Sequence, residues 1–373
     1  MNKKFIHPIT SAWFVIFLVI ASGCQKNLKP APNLPGQGGG TDMSPKELKN
    51  FVQVNLVGNN SINKPWNVDA GLVNAWGISF LPNGWAYISS NGNGFGNIYN
   101  LDGKSMAPAI SISHSASASG GQPTGQVYNF TSDFKLPDGN PATFIFATAD
   151  GTIAGWNNGG TAVKKIDNSG GASYLGIALA PVGSDFFLYA ANFAQNRVEV
   201  YDKNWNPANI SLTDPELPDD YSPVNIQIIR DASIFVLYAK KNAAGQIEKG
   251  PGKGYINVFS PDGVLQKRFA SKGKLNAPWG ITVAPAGFWG EWNQTANMIL
   301  VANNGDGQIH AFDENGNYAG PISTRGKAIE IDGLWGITFP PINGFNHYYL
   351  YFAAGPDGGK NGLVGYIKTQ FIN

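Results

Sequence analysis

The sequence repeats one pattern six times between residues 74 and 373. Each copy begins with a segment rich in small residues and Trp. It continues with strands in which apolar and polar residues alternate, separated by turns at Asn-Gly or Asp-Gly. The clearest starts are NAWGISF at Asn74, NAPWGITV at Asn276 and DGLWGITF at Asp332. A period of about 40 to 50 residues with several strands is typical of blades arranged around an axis. The pattern therefore predicts an all-β fold, a six-bladed β-propeller.

The last repeat is short of one strand, and this predicts how the ring closes. The sixth unit, residues 332–373, has only a weak fourth strand, whereas residues 51–57 (FVQVNLV) alternate as a half-buried strand should. We expect the amino-terminal strand to complete the last blade, since a closed ring leaves no open sheet edge. A strand on a neighbouring domain is the alternative, but no other domain remains to host it. The third unit, residues 174–213, is the most regular, and its fourth strand is expected at 209–212.

The amino-terminal 24 residues read as a targeting segment and not as part of the propeller. Lys3 and Lys4 precede an apolar run at 12–21 that is too short to span a bilayer as a helix. The sequence ASGC that follows resembles the bacterial lipoprotein processing box, which implies that Cys24 is lipidated and begins the mature chain. A plain signal peptide with an incidental cysteine is the alternative. Lipidation would place the protein in the cell envelope, outside the cytoplasm and anchored to a membrane.

Three regions follow from this organisation. Residues 1–24 are the signal peptide, residues 25–50 form a Pro- and Gly-rich tether that ends in a short helical turn, and residues 51–373 form the propeller. Cys24 is the only cysteine, so no disulfide, thiolate metal site or thiol nucleophile is expected in the propeller. The net charge of +1 gives no field that would attract nucleic acid.

Glycines and tryptophans recur where the inner strands begin. Close approach of backbones near the axis explains the recurring glycine. The glycines are Gly77, Gly125, Gly176, Gly280 and Gly336. Trp76, Trp279 and Trp335 precede three of them and are expected to wedge between adjacent blades.

Residues from about 51 to 367 resemble an uncharacterised family of bacterial exported proteins. The matching stretches include FIFATADGTIAGW at 144–156, DPELPDDY at 214–221, GPGKGYINVF at 250–259 and NNGDGQIHAFD at 303–313. This resemblance implies a six-bladed propeller, which in some members carries a PEP-type carboxy-terminal sorting signal, and it implies no established activity. The present sequence lacks that signal. NRVEVYD at 196–202 is also similar, more distantly, to NHL-type repeats.

A ligand site is expected on the face that carries the connections between blades and the hairpins between second and third strands. Pockets commonly lie at the mouth of such a channel. The candidates are Asn74, Trp76, Asn91, Asn225, Trp279, Asn303, Asp306, Asp332, Trp335 and Asp357. The alternative is structural, because Asn and Asp also dominate tight turns for backbone reasons and Trp serves as the wedge.

Metal and catalytic motifs are weak. Asn303 and Asp306 offer oxygen ligands suited to Ca²⁺ but follow no EF-hand loop. His114, His310 and His347 lie in separate units without the paired spacing of a zinc site, and no GxSxG element is present. The sequence leaves the catalytic residues unknown. We expect no cofactor, with Ca²⁺ at Asn303 and Asp306 as the alternative.

Two insertions leave their roles open. Residues 240–254 place four lysines in one hairpin, either for an anionic partner or as a solvated surface. Phe288, Trp289 and Trp292 either stack on a sugar or partner, if exposed, or cap a blade, if packed.

These features favour a lipid-anchored, monomeric binding or scaffold propeller. Its partners would be the membrane and a small molecule, a glycan or an envelope protein. A calcium-dependent propeller hydrolase of the lactonase type is the alternative. A quinone-cofactor dehydrogenase would need more basic and His side chains than the sequence offers.

Overall fold

Six sheets, antiparallel except for the β1–β2 pair in the last one, follow one another around an axis and are called blades 1 to 6 in chain order. This computed structural model describes residues 47–230, 232–290, 298–341 and 348–370. The described part of the chain begins with a 3-10 turn (Glu47–Lys49), which β1 (Phe51–Gly58) and β2 (Asn67–Val68) follow. Blade 1 holds β3 (Ala75–Phe80), β4 (Ala86–Ser90), β5 (Phe95–Tyr99) and β6 (Ile110–Ser111), and a small hairpin, β7 (Ser113–His114) and β8 (Ser117–Gly120), follows.

Blades 2 to 4 occupy the middle of the chain. Blade 2 holds β9 (Pro123–Tyr128), β10 (Phe144–Thr148), β11 (Thr152–Trp156) and β12 (Val163–Asp167). Blade 3 holds β13 (Tyr174–Val182), β14 (Asp185–Asn192) and β15 (Arg197–Tyr201). Blade 4 holds β16 (Tyr221–Ile229), β17 (Ser233–Lys240), β18 (Gly254–Phe259) and β19 (Leu265–Ser271).

Blades 5 and 6 complete the ring. Blade 5 holds β20 (Pro278–Val283), a 3-10 turn (Ala286–Trp289), β21 (Ile299–Asn303), β22 (Ile309–Phe312) and β23 (Tyr318–Pro321). A second small hairpin, β24 (Ser323–Thr324) and β25 (Lys327–Ala328), precedes β26 (Leu334–Thr338), β27 (Leu350–Ala354) and β28 (Leu363–Thr369) of blade 6. The prediction of an all-β, six-bladed propeller is confirmed.

Both ends of the described chain share blade 6. β1 pairs antiparallel with β28, from Phe51 opposite Thr369 to Gly58 opposite Leu363. The sheet order is β2-β1-β28-β27-β26, so β1 supplies the strand that the sixth repeat lacks. The predicted closure is therefore confirmed, and β1 leaves β28 no free edge to pair with another chain.

Blade 3 differs from the prediction, because it has three strands and residues 209–212 form none. The segment leaves blade 3 and packs along blade 4. There the Asp214 carboxylate accepts hydrogen bonds from Asn257 and Arg268. A Cβ placed on Gly263 would lie 2.4 Å from the Ser211 carbonyl oxygen, which shows how closely the segment approaches the blade 4 hairpin. These contacts with blade 4 replace the ladder that a fourth strand would have made in blade 3.

The second insertion is packed and not exposed. Phe288 and Trp289 are buried, and their rings contact Phe51 with centroid distances of 4.8 and 6.0 Å. Thr369 also donates a hydrogen bond to the Phe288 carbonyl at 3.1 Å. The aromatic pair therefore caps the closing strands β1 and β28, the structural alternative for these residues.

Several sequence predictions fall outside the described residues. They are the signal segment 1–24, Cys24, the tether up to residue 46, Trp292 and His347. Within the residues that are described, no helix is long and apolar enough to cross a membrane.

Candidate functional site

Three tryptophans meet where the inner strands begin. Trp76 of blade 1 stacks on Trp335 of blade 6 with ring centroids 3.7 Å apart. Trp279 of blade 5 lies edgewise to both, at 6.2 and 6.0 Å. The three rings thus form one cluster, called the tryptophan cluster below. They pack on one another instead of each filling a separate gap between two blades.

Two indole N–H groups in this cluster have no partner among the described residues. Trp76 and Trp279 are 9% and 4% exposed, and the Nε1 atom of each is buried without a hydrogen bond. A buried donor without a partner costs about 1–3 kcal/mol. Such groups are uncommon in native folds and are expected to have a reason.

A cavity of about 300 Å³ runs along the axis beside this cluster. Its walls come from the first strand of every blade, beginning at the level of the recurring glycines. Trp279 lines it near the start of the strands, and Phe80, Phe130 and Phe339 line it near their ends. Phe130 is 61% exposed, so the cavity reaches the surface at that end. We call this space the axial cavity.

The axial cavity lacks charged side chains among the residues that the structure describes. Its lining contains neither Asp, Glu, Lys, Arg, His nor Cys, and Tyr128 is the one titratable residue. The first strand of each blade pairs with the second strand along its outer edge. Its inner edge therefore presents unpaired backbone groups to the axis. The cavity therefore offers neutral hydrogen-bonding groups and apolar surface, and no carboxylate or imidazole for acid–base chemistry.

Blade 4 breaks the sixfold pattern of the cavity wall. Asn225 stands where the other five blades carry glycine, and its Nδ2 donates to the Trp279 carbonyl at 2.7 Å. A Cβ on Gly176 would clash with Asn225 Oδ1, so the amide lies directly against the inner strand of blade 3. Gln227, two residues further on the same strand, lines the cavity with an exposed side chain. Blade 4 thus gives the cavity two carboxamides.

The predicted site residues divide into two groups. Asn225 and Trp279 line the axial cavity, and Trp76 and Trp335 contact Trp279. The remaining candidates lie in the blade connections and hairpins or, for Asn303, at the end of β21. These residues are Asn74, Asn91, Asn303, Asp306, Asp332 and Asp357.

Most of the second group has structural partners. Asn74 Nδ2 donates to Asn91 Oδ1 at 3.0 Å. Asp332 Oδ2 accepts from the Asp357 backbone N–H at 2.7 Å. Asn303 is fully buried, and its Nδ2 donates to the Lys274 carbonyl at 2.8 Å. These bonds hold turns together, the structural alternative for these residues.

The calcium candidates Asn303 and Asp306 are hydrogen-bonded to each other and to neighbouring groups. Asp306 Oδ2 accepts from Asn276 Nδ2 at 3.1 Å and from Asn303 Nδ2 at 3.5 Å, and Oδ1 accepts from the Gln308 backbone at 3.1 Å. Amide nitrogens, and not further oxygens, therefore face this carboxylate, whereas Ca²⁺ takes six to eight oxygen ligands. No group of three His, Cys, Asp or Glu side chains suited to a metal occurs in the described ranges.

The two histidines that the structure describes do not line the axial cavity. His310 is 4% exposed, and its Nδ1 lies 3.2 Å from the Tyr318 hydroxyl. Burial lowers the pKa of His310 to about 4. His114 lies 3.4 Å from Asp150 at the surface. Neither contributes to the cavity wall.

The lysines of the 240–254 insertion are paired within the molecule. Lys253 lies 2.5 Å from Glu248 Oε1, and Lys240 lies 3.4 Å from Asp220. Lys241 and Lys249 donate to backbone carbonyls of neighbouring hairpins. These contacts brace the hairpin against its neighbours.

Similar proteins confirm the fold and give a family. No family model matches the chain. The chain is 32% identical over 344 residues to "Uncharacterized protein R648" of Acanthamoeba polyphaga mimivirus, with 88% of this chain and 83% of that protein covered. It is 34% identical over 323 residues to "Uncharacterized protein L690" of the same virus, with 82% of each covered. These viral relatives do not support the expected family of bacterial exported proteins.

The solved structures add fold information alone. Selenomethionine-substituted virginiamycin B lyase from Staphylococcus aureus superposes with a TM-score of 0.50 at 13% identity. The match covers 86% of this chain and 99% of that one. An identity this low transfers the propeller architecture and no activity.

Sequence reasoning missed Gln227 and the position of the cavity. The signal for Gln227 was present, because Asn225 interrupts the row of glycines and residues two apart on a strand share a face. The cavity lies along the inner strands beyond the recurring glycines, away from the turns that supplied most candidates.

Proposed function

We propose that this chain, which belongs to the same family as the uncharacterized mimivirus proteins R648 and L690, is a binding protein and not an enzyme. Its ligand would be a small, uncharged polar molecule held in the axial cavity. One observation carries this proposal. The described cavity wall offers amides, an indole and strand edges but, apart from the Tyr128 phenol, no titratable side chain.

The volume of the cavity and its polar groups limit the kinds of ligand that it could hold. A cavity of about 300 Å³ lies at the lower end of the range of roughly 300–1,000 Å³ found for small-molecule sites, which suits a small ligand. Asn225 and Gln227 would bond its hydroxyl or carbonyl groups, and Trp279 supplies an apolar face. A neutral monosaccharide has this size and this chemistry.

The alternative of a calcium-dependent hydrolase has less support. It requires several oxygens converging on one ion, and Asp306 instead faces two amide nitrogens. Thermal unfolding with Ca²⁺ and with EDTA tests this directly. An ion at 100 times its Kd would add about 2.7 kcal/mol of stability, and we expect equal unfolding temperatures.

We also propose that the protein is exported and anchored by lipid at Cys24. The sequence ASGC after a charged start and a short apolar run supports this. Mass spectrometry of the amino-terminal peptide from envelope membranes should show an acylated Cys24. An intact residue 1–24 segment in the mature chain would contradict the proposal.

Binding is tested with a matched pair of molecules. Galactose and galacturonate have the same ring and nearly the same size, but only the second carries a carboxylate. Within a panel of neutral sugars against their uronic acids, we expect neutral members to raise the unfolding temperature and the acids to leave it unchanged. Native mass spectrometry of the purified protein would then reveal any neutral molecule that co-purifies.

Two variants test whether the ligand binds in the axial cavity or on the surface of the protein. Gln227→Leu removes an amide from the wall and should abolish the stabilisation, whereas Gln266→Leu changes an exposed glutamine on β19 that does not line the cavity. Equal stabilisation by uronic acids, or unchanged binding in Gln227→Leu, would overturn the proposed site.

A further inference from the structure

Exposed apolar side chains concentrate in one loop on the outer edge of blade 6. Ile62, Trp66 and Val68 are 73%, 65% and 61% exposed, and with Phe130 they are the four most exposed large hydrophobic residues of the described chain. Lys64 lies between them and is also exposed. Three such residues within seven positions are unusual for a soluble surface, where exposed apolar residues are normally scattered. We call Ile62, Lys64, Trp66 and Val68 the rim strip.

The rim strip is exposed although its backbone is firmly held. The Ile62 N–H donates to Asn60 Oδ1 at 2.9 Å, and the Trp66 N–H donates to the Asn55 carbonyl at 3.0 Å. Asn67 and Val68 pair with the end of β1. The Trp66 ring rests edgewise on the Tyr366 ring at 6.4 Å. The loop thus presents these side chains in a fixed arrangement, so their exposure does not come from a loosely packed turn.

Polar groups between the apolar residues turn toward the blade. Asn67 Nδ2 donates to the Leu56 and Asp102 carbonyls at 3.2 and 2.9 Å. The Asn63 carbonyl accepts from Asn55 Nδ2 at 2.7 Å. Lys64 forms no ion pair with any described residue. The outward face of the strip therefore consists of two aliphatic side chains, one indole and one ammonium.

We propose that the rim strip contacts a phospholipid bilayer and holds the propeller against it. Trp favours the boundary between headgroups and acyl chains, and Lys is attracted to anionic headgroups. Ile62 and Val68 have no flat face on which a sugar could stack, but both gain from leaving water for the acyl boundary. This combination fits a membrane surface better than a glycan.

The position of the strip along the chain agrees with this, and here the inference rests on the proposed lipid anchor. Residues 25–50 separate Cys24 from β1, and the rim strip follows β1 directly. Residues 47–49 already form a turn, and a flexible chain of the 22 residues from 25 to 46 has a root-mean-square span of about 26 Å. An anchor at Cys24 would therefore keep the strip close to the bilayer and raise its local concentration there.

The test uses the full chain and its single native cysteine. Ile62→Cys is compared with Val264→Cys, an exposed valine (55%) on a different blade. Each protein is purified from envelope membranes and reconstituted in vesicles of phosphatidylethanolamine and phosphatidylglycerol. Its labelling by a membrane-impermeant maleimide is then measured before and after detergent is added. Detergent should increase the labelling rate at both positions by different factors. We expect the factor at position 62 to be at least about 10 times the factor at position 264.

Labelling of the unsubstituted chain tests the lipid anchor separately from the membrane contact of the rim strip. If Cys24 is lipidated, the unsubstituted chain takes no label; if it is labelled, the anchor proposal fails. The comparison of positions 62 and 264 still reports on the strip in either case. Adding Trp66→Ser to Ile62→Cys should remove most of the protection. Equal detergent effects at 62 and 264, or protection that survives Trp66→Ser unchanged, would overturn the membrane contact.

Discussion

The indole of Trp76 stacks on that of Trp335 with ring centroids 3.7 Å apart and planes inclined by 21°. Trp76 belongs to the first blade and Trp335 to the last, so this contact spans the junction at which the ring closes. Trp279 lies edgewise against both rings and extends the contact to blade 5. Side chains at the axis therefore reinforce the closure that β1 and β28 make at the outer edge.

Replacing Trp76 with alanine should destabilise the protein strongly. Truncating a buried tryptophan costs about 3–5 kcal/mol, because apolar contacts are lost and a cavity remains. Trp66→Ala is the matched control, since Trp66 is 65% exposed and surface substitutions usually change stability by about 0.5 kcal/mol or less. Urea unfolding of both variants measures the difference. Similar midpoints for the two would show that the tryptophan cluster contributes little.

Gly125 should not tolerate a methyl group. A Cβ there would lie 2.7 Å from the Gly176 Cα, so the inner strands of blades 2 and 3 would have to separate. Overpacking of this kind costs about 1–3 kcal/mol. Gly160→Ala is the control, since no atom lies within 4 Å of its Cβ position and its φ is not in the left-handed region. Thermal unfolding should show a lowered temperature for Gly125→Ala alone.

The recurrent glycines and the closing strand could be predicted because both follow from local pattern and topology. Period-two alternation identified the strands, and the weak last strand of the sixth repeat predicted that β1 would replace it. The missing strand of blade 3 could not be predicted in this way. Residues 209–212 carry a regular pattern, but the bonds of Asp214 to Asn257 and Arg268 join parts of the chain far apart in sequence.

Stability should fall as the pH drops from about 6.5 to about 4, in part through His310. Burial lowers the pKa of His310 to about 4 from its ordinary 6.5, so the folded protein keeps it neutral where the unfolded chain binds a proton. The contribution is fully present above pH 6.5 and is lost as the pH falls, by about 3 kcal/mol in total. His310→Gln should flatten the profile in this window. A slope equal to that of the unsubstituted protein would contradict the assignment.

Phe51 should be essential to ring closure. It is fully buried at the start of β1 and contacts Phe288 and Trp289. Phe51→Ala should cost about 3–5 kcal/mol. Val264→Ala, at an exposed position, should be close to neutral. Hydrogen exchange would locate the loss, with β1 and β28 exchanging faster than the inner strands of blades 2 to 4.

The candidate site was only partly predictable, for a physical reason. Asn and Asp in turns satisfy backbone groups, so sequence alone does not separate Asn303, which holds a turn, from Asn225, which lines the cavity. The difference depends on which residue reaches the axis. That depends on the packing of all six blades, and only the break in the glycine row at Asn225 indicated it beforehand.

Pairing of Phe51 with Thr369 also sets the order of events during biosynthesis. The final sheet cannot assemble before β28 has left the ribosome, because β1 is made before the first five blades and β28 is made after them. Until then β1 has an unpaired edge, which can pair wrongly with other chains that are still being synthesised. Such a long-range contact is slow to form, since a loop of that length must close first. A chain threaded amino end first through a secretion channel would therefore complete its fold only after translocation had finished.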